Sequence, residues 1–562
     1  MNKKRISVTL FFLCFGVLLS VWGQEEEVKI SSLIHEGEAI PKEVIKATRE
    51  FRERLMADPY RPAYHFTVPD DVGAPGDPNG AFYHNGKYHL MYLYNRTGSG
   101  FSWGHVSSTD MVHWKHHPDA LVPGDGDEGV FSGGAFVDED GSAYLSYWML
   151  WGAKGIGIAK NLDDQYNLWK KIESNPVIKS TEWGITELTD KSGKNIHVSS
   201  ADPSNIWKKD GMYYMLTGNL LVLRKYGSRG KGLPANRDEP PLPKDSLDYQ
   251  GDRLSLFASK NLKDWTYQHE FYQSERKWTS KTEDNMCPSF LPLPSGPDGG
   301  KASDKHLLLF ISHNKGCQYY VGDYKKDKFY PEVHGRMSWE DNAYFAPEAL
   351  IDGKGRQIMW SWIFDDRPAS VKEHYGWTGT YGLPRSLWLG DDGSLHMQPV
   401  EELQMLRVKE DANLSNIGVA KGVDYVLDEY GNELMELELT IDPNSKGSYG
   451  VKVCVSKDGS EETKIYYDPK DRKLKFDTTK SGKAFGRKII EEAPLELKEG
   501  EPLVLRVYVD RSIVEVFAND RQAIARSIYP SQGSQGIRLF SDEQDMTVRN
   551  LKIWELNQTN PY

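Results

Sequence analysis

The apolar positions change their spacing several times along the chain, and each change marks an element. Residues 8–22 are an apolar run interrupted only by Thr9, Gly16 and Ser20, preceded by Lys3-Lys4-Arg5 and followed by Glu25-Glu26-Glu27. Basic, apolar and polar stretches in that order predict a secretory signal peptide over 1–24, and the run falls short of the ~20 apolar residues of a membrane span. In the extension 25–60, Val44, Ala47, Phe51 and Leu55 share one helical face and predict a short helix over 41–57. Beyond Pro62 the pattern becomes one of short aromatic and β-branched runs. A single unit recurs there in order: a short strand, a Gly-containing turn and a second apolar strand. Its copies occupy 79–92 with the turn Asn85-Gly86, 134–147 with Asp140-Gly141, 204–216 with Asp210-Gly211, 287–310 with a longer turn, and 346–360 with Asp352-Gly353. Asn-Gly and Asp-Gly are hairpin turns. A second recurrence, at 108–114, 159–169 and 259–265, ends in Trp114, Trp169 and Trp265, each leading into an outer strand. Repetition of such a unit five times predicts a five-bladed β-propeller over 61–397. A short amphipathic linker over 398–417 follows, carrying Val400, Leu403 and Leu406. Alternation then resumes at 433–439, 449–454, 503–509, 512–517 and 536–540, which predicts an antiparallel β-sandwich over 418–562. The expected fold class is all-β.

Composition removes several classes of function. The 562 residues carry 69 basic and 81 acidic side chains, a net charge of −12, which gives no electrostatic case for nucleic acid. Lys-rich stretches such as 325–328 are mixed in sign and read as solvated loops. Of the four cysteines, Cys14 lies in the leader, so Cys287, Cys317 and Cys454 leave room for one bridge and no disulfide framework. No segment after the leader is apolar enough to span a membrane, and the mature chain is expected to be exported, whether periplasmic, surface-held or released.

In a propeller the residues heading the innermost strands converge on one end of a central channel. Asp77 heads the first unit and Asp202 the third, each just before proline, and Glu283 or Asp284 precedes the fourth. Singly these are turn formers. Together they form a constellation in which crowding holds a proton on one carboxyl while a better-solvated neighbour stays ionised, the pair that glycosidic cleavage requires. Phe101, Trp103, Phe131 and Trp377 lie near unit starts or linking loops, where an aromatic face stacks on a sugar ring. His105, His113, His116 and His117 cluster in sequence, but a strand places His116 and His117 on opposite faces and nothing completes a metal-ligand spacing. No metal and no cofactor are expected.

These motifs carry a resemblance. Asp77-Pro78-Asn79-Gly80, Trp103-Gly104-His105, Phe131-Ser132-Gly133-Gly134, Ala201-Asp202-Pro203, Cys287-Pro288, Gly376-Trp377-Thr378-Gly379 and Leu383-Pro384-Arg385 look like glycoside hydrolase family 32, the invertase, inulinase and levanase group. The likeness extends over about 60–558, because 509–517 resembles that family's C-terminal sandwich. It implies retaining hydrolysis of β-fructofuranosides in an oligo- or polysaccharide, without a metal. By motif, Asp77 is the implied nucleophile, Asp202 the residue holding sugar hydroxyls and Glu283 the acid/base, with Asn79, Trp103, Phe131, Ser132 and Trp377 as substrate contacts. The carboxyls of nucleophile and acid/base would then stand ~5–5.5 Å apart.

The chain also departs from the pattern. The family's Trp-Met-Asn is Ala74-Pro75-Gly76 here, a Gln in the following strand is Leu93, and the Arg of Arg-Asp-Pro is Ala201. These are lost hydrogen-bond donors, and they bear on which sugar the pocket takes. The family's Glu-Cys-Pro is interrupted by Asp284-Asn285-Met286, which leaves Glu283 and Asp284 as rival acids. Two other readings stay open: an inverting five-bladed hydrolase of another furanoside such as arabinan, and a sugar-binding relative without activity.

Overall fold

The computed structural model describes residues 40–560 except 70, 153, 191, 223–250, 275–276 and 483. The signal peptide predicted over 1–24 lies outside the described residues. The chain divides into two compact units, Met1–Arg54 and Leu55–Tyr562. The expected helix forms at Lys42–Ala57; Leu55 is its buried residue, whereas Val44 and Ile45 are exposed. No helix among the described residues is long and apolar enough to cross a membrane.

Everything after Pro62 is built mostly from strands. Among the described residues, five antiparallel sheets of four or five strands follow in chain order, four of them meanders of neighbouring strands, and a separate two-stranded sheet of Ile185–Thr189 with Asn195–Ser199 comes in sequence between the second and the third. Sheet 1 comprises Pro78–His84, Lys87–Arg96, Gly100–Ser108 and Lys115–Leu121. Sheet 2 comprises Gly129–Val137, Ala143–Leu150, Gly155–Asn161 and Trp169–Lys171, with Ile178–Lys179 added against its third strand. Sheet 3 comprises Trp207–Lys209, Met212–Thr217, Arg253–Ser259 and Trp265–Gln273; sheet 4, Met286–Pro294, Ala302–Ser312, Gly316–Lys325 and Lys328–Arg336. Sheet 5 comprises Tyr344–Ile351, Gln357–Ile363, Arg385–Leu389 and Leu395–Pro399, with Thr380–Tyr381 beside its second strand. The recurring unit is thus the first hairpin of each sheet. Its turns form because Asn85 and Gly86, and likewise Asp210 and Gly211, adopt positive φ, the conformation that matches the strand twist. Trp169 and Trp265 open the fourth strands of their sheets and donate from Nε1 to the carbonyls of Tyr166 and Leu262, three residues back in each case.

The first strand of each sheet is an edge whose neighbours belong to other sheets, so its polar groups need partners outside a ladder. Side chains and close packing supply them. Gly133 N donates to Asn79 Oδ1 at 2.9 Å, joining sheets 1 and 2. Gly134 lies directly on the backbone of Asn205, where a Cβ would be 2.4 Å from its nitrogen, joining sheets 2 and 3. Asn205 donates to the Phe290 carbonyl and accepts from the Phe290 amide, at 3.0 and 2.8 Å, joining sheets 3 and 4. Gly300 N donates to the Lys354 carbonyl at 2.7 Å between sheets 4 and 5, and Ala81 N donates to Glu348 Oε1 at 3.0 Å, linking sheet 5 back to sheet 1.

Two six-stranded sheets complete the chain. Sheet 6 runs in the order Arg407–Val419, Met546–Leu556, Leu434–Ile441, Leu503–Asp510, Ile513–Ala518, Gln522–Ser527, and sheet 7 in the order Tyr425–Val426, Gly536–Ser541, Tyr449–Val455, Thr463–Asp468, Lys473–Asp477, Ile490–Pro494. Leu437, Leu439 and Val507 of sheet 6 share one buried core with Val451, Ile465 and Leu539 of sheet 7. The linker expected over 398–417 is corrected here. Glu401–Leu406 is a single 3-10 segment, and Arg407–Val419 is an edge strand, because it pairs along Met546–Leu556 and buries Ala412, Ile417 and Val419.

A fully buried polar cluster ties the segment before sheet 1 to sheet 6. Asp510 Oδ atoms accept from the amides of Ala63, Tyr64 and His65 at 2.6–2.9 Å and from His65 Nδ1 at 2.9 Å. Glu515 takes His65 Nε2 at 3.1 Å, the Leu383 amide at 2.7 Å and Arg385 Nη2 at 3.1 Å. Burial alone would depress the imidazole, but its bonds to the two carboxylates prevail and push His65 up to about 9. Removing a partner from such a cluster strands a buried charge, so Asp510→Ala is expected to cost about 3–5 kcal/mol in urea denaturation. Because the folded value is raised, the His65 contribution is complete below about 6.5 and declines as pH rises through about 9; this decline should shrink in Asp510→Ala, where only Glu515 still holds the ring.

Candidate active site

Asp77 and Asp202 meet at Cys287. Asp77 immediately precedes the first strand of sheet 1; its carbonyl accepts from Leu93 N at 2.9 Å and from Asn79 Nδ2 at 2.8 Å, which fixes the backbone that carries the carboxylate. Its Oδ2 accepts a 2.6 Å bond from Ser132 Oγ, brought in by the first strand of sheet 2. Asp202 is held in the left-handed region at φ 40° by the segment leading to sheet 3, and Cys287 at φ 49° opens sheet 4. Cys287 Sγ lies 3.7 Å from Asp77 Oδ2 and 3.6 Å from Asp202 Oδ2, so the two carboxyl oxygens are separated by no more than the sum of those distances. Both acids are almost wholly buried. Burial, and then the charge of Asp77, push Asp202 up to about 7, against the opposing influence of His313 and Cys287. Asp202 Oδ1 is buried with no hydrogen-bond partner among the described residues. The same burial and the two neighbouring carboxylates drive the Cys287 thiol well above its usual range.

Glu283 does not join this pair through any hydrogen bond of its own. Its carboxylate takes Arg336 Nη2 at 2.9 and 3.1 Å, Gln318 Nε2 at 3.1 Å and the Ser280 amide at 2.9 Å, so both oxygens are committed to sheet 4 and its approach loop. Asp284 turns the other way and accepts from the amide and Nδ1 of His313, at 2.9 and 2.6 Å.

Two of the aromatic residues expected at the substrate belong to the interior. Trp103 is fully buried between sheets 1 and 2, donating from Nε1 to the Phe131 carbonyl at 3.2 Å. Trp377 is buried too; its Nε1 donates to Asp58 Oδ2 at 2.7 Å and its face is covered by Arg367, 4.8 Å from the ring centre. Both are corrected from substrate contacts to packing, because a strand of sheet 1 carries Trp103 into the interior and Asp58 and Arg367 enclose Trp377. Phe131 remains half-buried beside Ser132 and heads a run of rings: it meets Phe101 at 5.4 Å and Trp148 at 5.7 Å, which in turn meet Trp151 at 5.9 Å and Trp183 at 5.1 Å. Trp151 and Trp183 are 45% and 41% exposed. Sequence reading passed over both, although each stands beside a glycine in a loop, Trp151-Gly152 and Trp183-Gly184. It also passed over Trp362, whose buried Nε1 has no partner among the described residues and lies against Gly76, next to Asp77.

The histidine cluster is packing as well. His105 and His117 stack at 4.2 Å, His89 Nδ1 meets His105 Nε2 at 2.9 Å, and His116 points to the opposite face, toward Phe66. Among the described residues no group of three or more His, Cys, Asp or Glu side chains is arranged to hold a metal ion, and Cys287, Cys317 and Cys454 are free thiols.

An all-β chain that gathers two desolvated carboxyls at the heads of its strands, with aromatic rings leading outward to solvent, has the working parts of a glycoside hydrolase. Residues 65–226 and 245–399 match the N-terminal domain of the glycosyl hydrolases family 32, and 402–555 match that family's C-terminal domain; the chain belongs to this family. It is 28% identical to a levanase of Bacillus subtilis (strain 168) over 543 residues, covering 90% of this chain and 72% of the relative. It is 27% identical to a sucrose-6-phosphate hydrolase of Zymomonas mobilis subsp. mobilis (strain ZM4) over 546 residues, covering 92% and 97%. Among solved structures, fructan 1-exohydrolase IIa from Cichorium intybus superposes with a TM-score of 0.73 at 21% identity, over 89% of this chain and 98% of that one. Exo-inulinase from Aspergillus awamori gives 0.69 at 22%, over 90% and 99%. These structures share the fold.

The position of the thiol makes a direct test of the cluster. Iodoacetamide at pH 8 is expected to modify Cys287 at least about tenfold more slowly than free cysteine, and faster in Asp77→Asn, as read by peptide mass spectrometry. Rapid labelling of the native protein would contradict the desolvated arrangement.

Proposed function

We propose that this protein hydrolyses β-fructofuranosidic bonds in fructan- or sucrose-type saccharides by a retaining double displacement. The observation that carries the reading is the meeting of Asp77 and Asp202 at Cys287 in a family 32 chain. Relatives named levanase, sucrose-6-phosphate hydrolase and fructan 1-exohydrolase support a fructoside as substrate. On this reading sheets 1–5 are the blades of a five-bladed propeller, their first strands lining the axis, and sheets 6 and 7 are the β-sandwich. The leader-like run at 8–22 supports export.

The Asp77 carboxylate is the nucleophile. Ser132 holds one of its oxygens, Asn79 holds its backbone, and attack on the anomeric carbon forms an ester that water later cleaves. Asp202 offers its unpartnered Oδ1 to a sugar hydroxyl, an interaction strengthened by desolvation. Trp362 Nε1 supplies a donor in a pocket where the family's Asn, Gln and Arg are replaced by Pro75 or Gly76, Leu93 and Ala201. The rings from Phe131 to Trp183 and Trp151 form the approach on which further sugar units stack.

Asp77→Asn is expected to lower fructose release from sucrose and from inulin- and levan-type oligosaccharides by about 10³-fold or more while leaving thermal unfolding nearly unchanged. Product chromatography checks this, and methanol added as acceptor should yield the β-methyl fructoside. Release of arabinose from arabino-oligosaccharides, or an inverted anomer, would overturn the reading. Trp183→Ala should raise KM for longer oligosaccharides several-fold more than for sucrose, read from initial rates.

A further inference from the structure

The proposed reaction needs a proton donor at the leaving oxygen, and the residues first in line do not supply one. The residue immediately before Cys287-Pro288 is Met286, buried in the apolar core with its sulfur against Gly218. Glu283 commits both oxygens to Arg336, Gln318 and Ser280. The Cys287 thiol is wedged between two carboxyls, and Asp202 is placed to meet a sugar hydroxyl.

We infer that His313, oriented by Asp284, is the acid/base of the reaction, an imidazole standing where a carboxylic acid would be expected; this rests on the hydrolase reading above. One carboxylate fixes both the main chain and the ring. Asp284 Oδ1 accepts from the His313 amide at 2.9 Å and Oδ2 meets Nδ1 at 2.6 Å. The His313 carbonyl is taken by Asn342 Nδ2 at 2.9 Å, and the ring packs edge-on against Phe345 at 5.8 Å. With Nδ1 bound to Asp284, Nε2 is the atom left to exchange a proton. The Asp284 side chain is 3% exposed and that of His313 13%, so the dyad is desolvated yet open along one side.

Three observations bring the dyad near Asp77 and Asp202. Asp284 lies three residues before Cys287, whose thiol touches both acids. Phe345 packs at 6.0 Å against Trp362, and Trp362 covers Gly76, the residue before Asp77. His313 is close enough to Asp202 for its charge to act on that carboxyl. Arrangement of a His by a buried Asp is a recurring way to orient an imidazole for proton transfer.

The proton count closes over two steps. In the first, Asp77 attacks the anomeric carbon, the bond from that carbon to the leaving oxygen breaks, and imidazolium Nε2–H protonates the leaving oxygen. In the second, neutral Nε2 takes a proton from water, the water oxygen attacks the anomeric carbon, and the ester bond to Asp77 breaks, restoring carboxylate and imidazolium.

The test uses the full chain with sucrose and an inulin-type trisaccharide, whose leaving groups need protonation, beside 4-nitrophenyl β-D-fructofuranoside, whose leaving group does not. His313→Ala is expected to lower kcat/KM about 10²–10⁴-fold on the saccharides and under about tenfold on the aryl substrate, with azide accelerating aryl turnover and yielding fructosyl azide. Asp284→Asn should show the same leaving-group dependence to a smaller degree, at nearly constant KM. Glu283→Gln should change the rates on both substrates by one common factor, whatever its effect on stability, since stability does not distinguish leaving groups. Equal losses on the two substrate types in His313→Ala, or a leaving-group dependence confined to Glu283→Gln, would overturn the dyad and leave the hydrolase reading standing. An unmodified protein that releases fructose from none of the three would overturn the hydrolase reading and the dyad with it.

Discussion

The centre of this molecule is governed by a problem of unpaired backbone. Each of five sheets presents its first strand to the others as an edge, in a place shielded from water, where an unbonded amide or carbonyl costs free energy comparable to a lost hydrogen bond. A ladder across the gap would merge the sheets into one. The chain instead directs particular side chains to particular backbone groups: Asn79 to Gly133, Asn205 to Phe290, Glu348 to Ala81. Glu348 illustrates the penalty, since burial raises its carboxyl well above the usual range and only the Ala81 amide works against it. Because these contacts fix the first strands, they also fix what stands at the strand heads. Asp77 lies two residues before Asn79, and Asp202 three before Asn205.

The pocket is consequently an electrostatic compromise. Two carboxyls that share one thiol cannot both be comfortable as anions in a dry site, and the strain falls on Asp202. The two acids that follow one another before Cys287 are each paired: Glu283 with Arg336 and Asp284 with His313. Adjacent acids in sequence therefore serve different neighbours.

Much of the fold is legible in the sequence because its signals are local. Asn85-Gly86 and Asp210-Gly211 announce hairpins through backbone preference alone, and Trp169 and Trp265 mark outer strands through a bond to a residue three positions back. Asp77 and Asp202 are legible for a related reason, as each stands before a proline that opens a unit. What depends on distant partners is not. Residues 398–417 look like a linker until Met546–Leu556 pairs with the strand Arg407–Val419. Trp103 and Trp377 look like substrate contacts until Phe131 and Asp58 claim their indole nitrogens. The partners of Glu283 and Asp284, Arg336 and His313, come from other strands and loops of sheet 4, and no local pattern carries that information. Asp510 gathers three amides and an imidazole from the far end of the chain.

The cross-sheet contacts also constrain how such a chain evolves. Gly134 touches the backbone of Asn205 so closely that any side chain there would collide with it, and each polar contact is addressed to one neighbour only. Duplicating or deleting one repeat would leave an orphaned donor on one flank and a mismatched acceptor on the other. Drift is therefore free in strands and loops away from these contacts, while the number of repeats and their order are locked by the contacts between first strands.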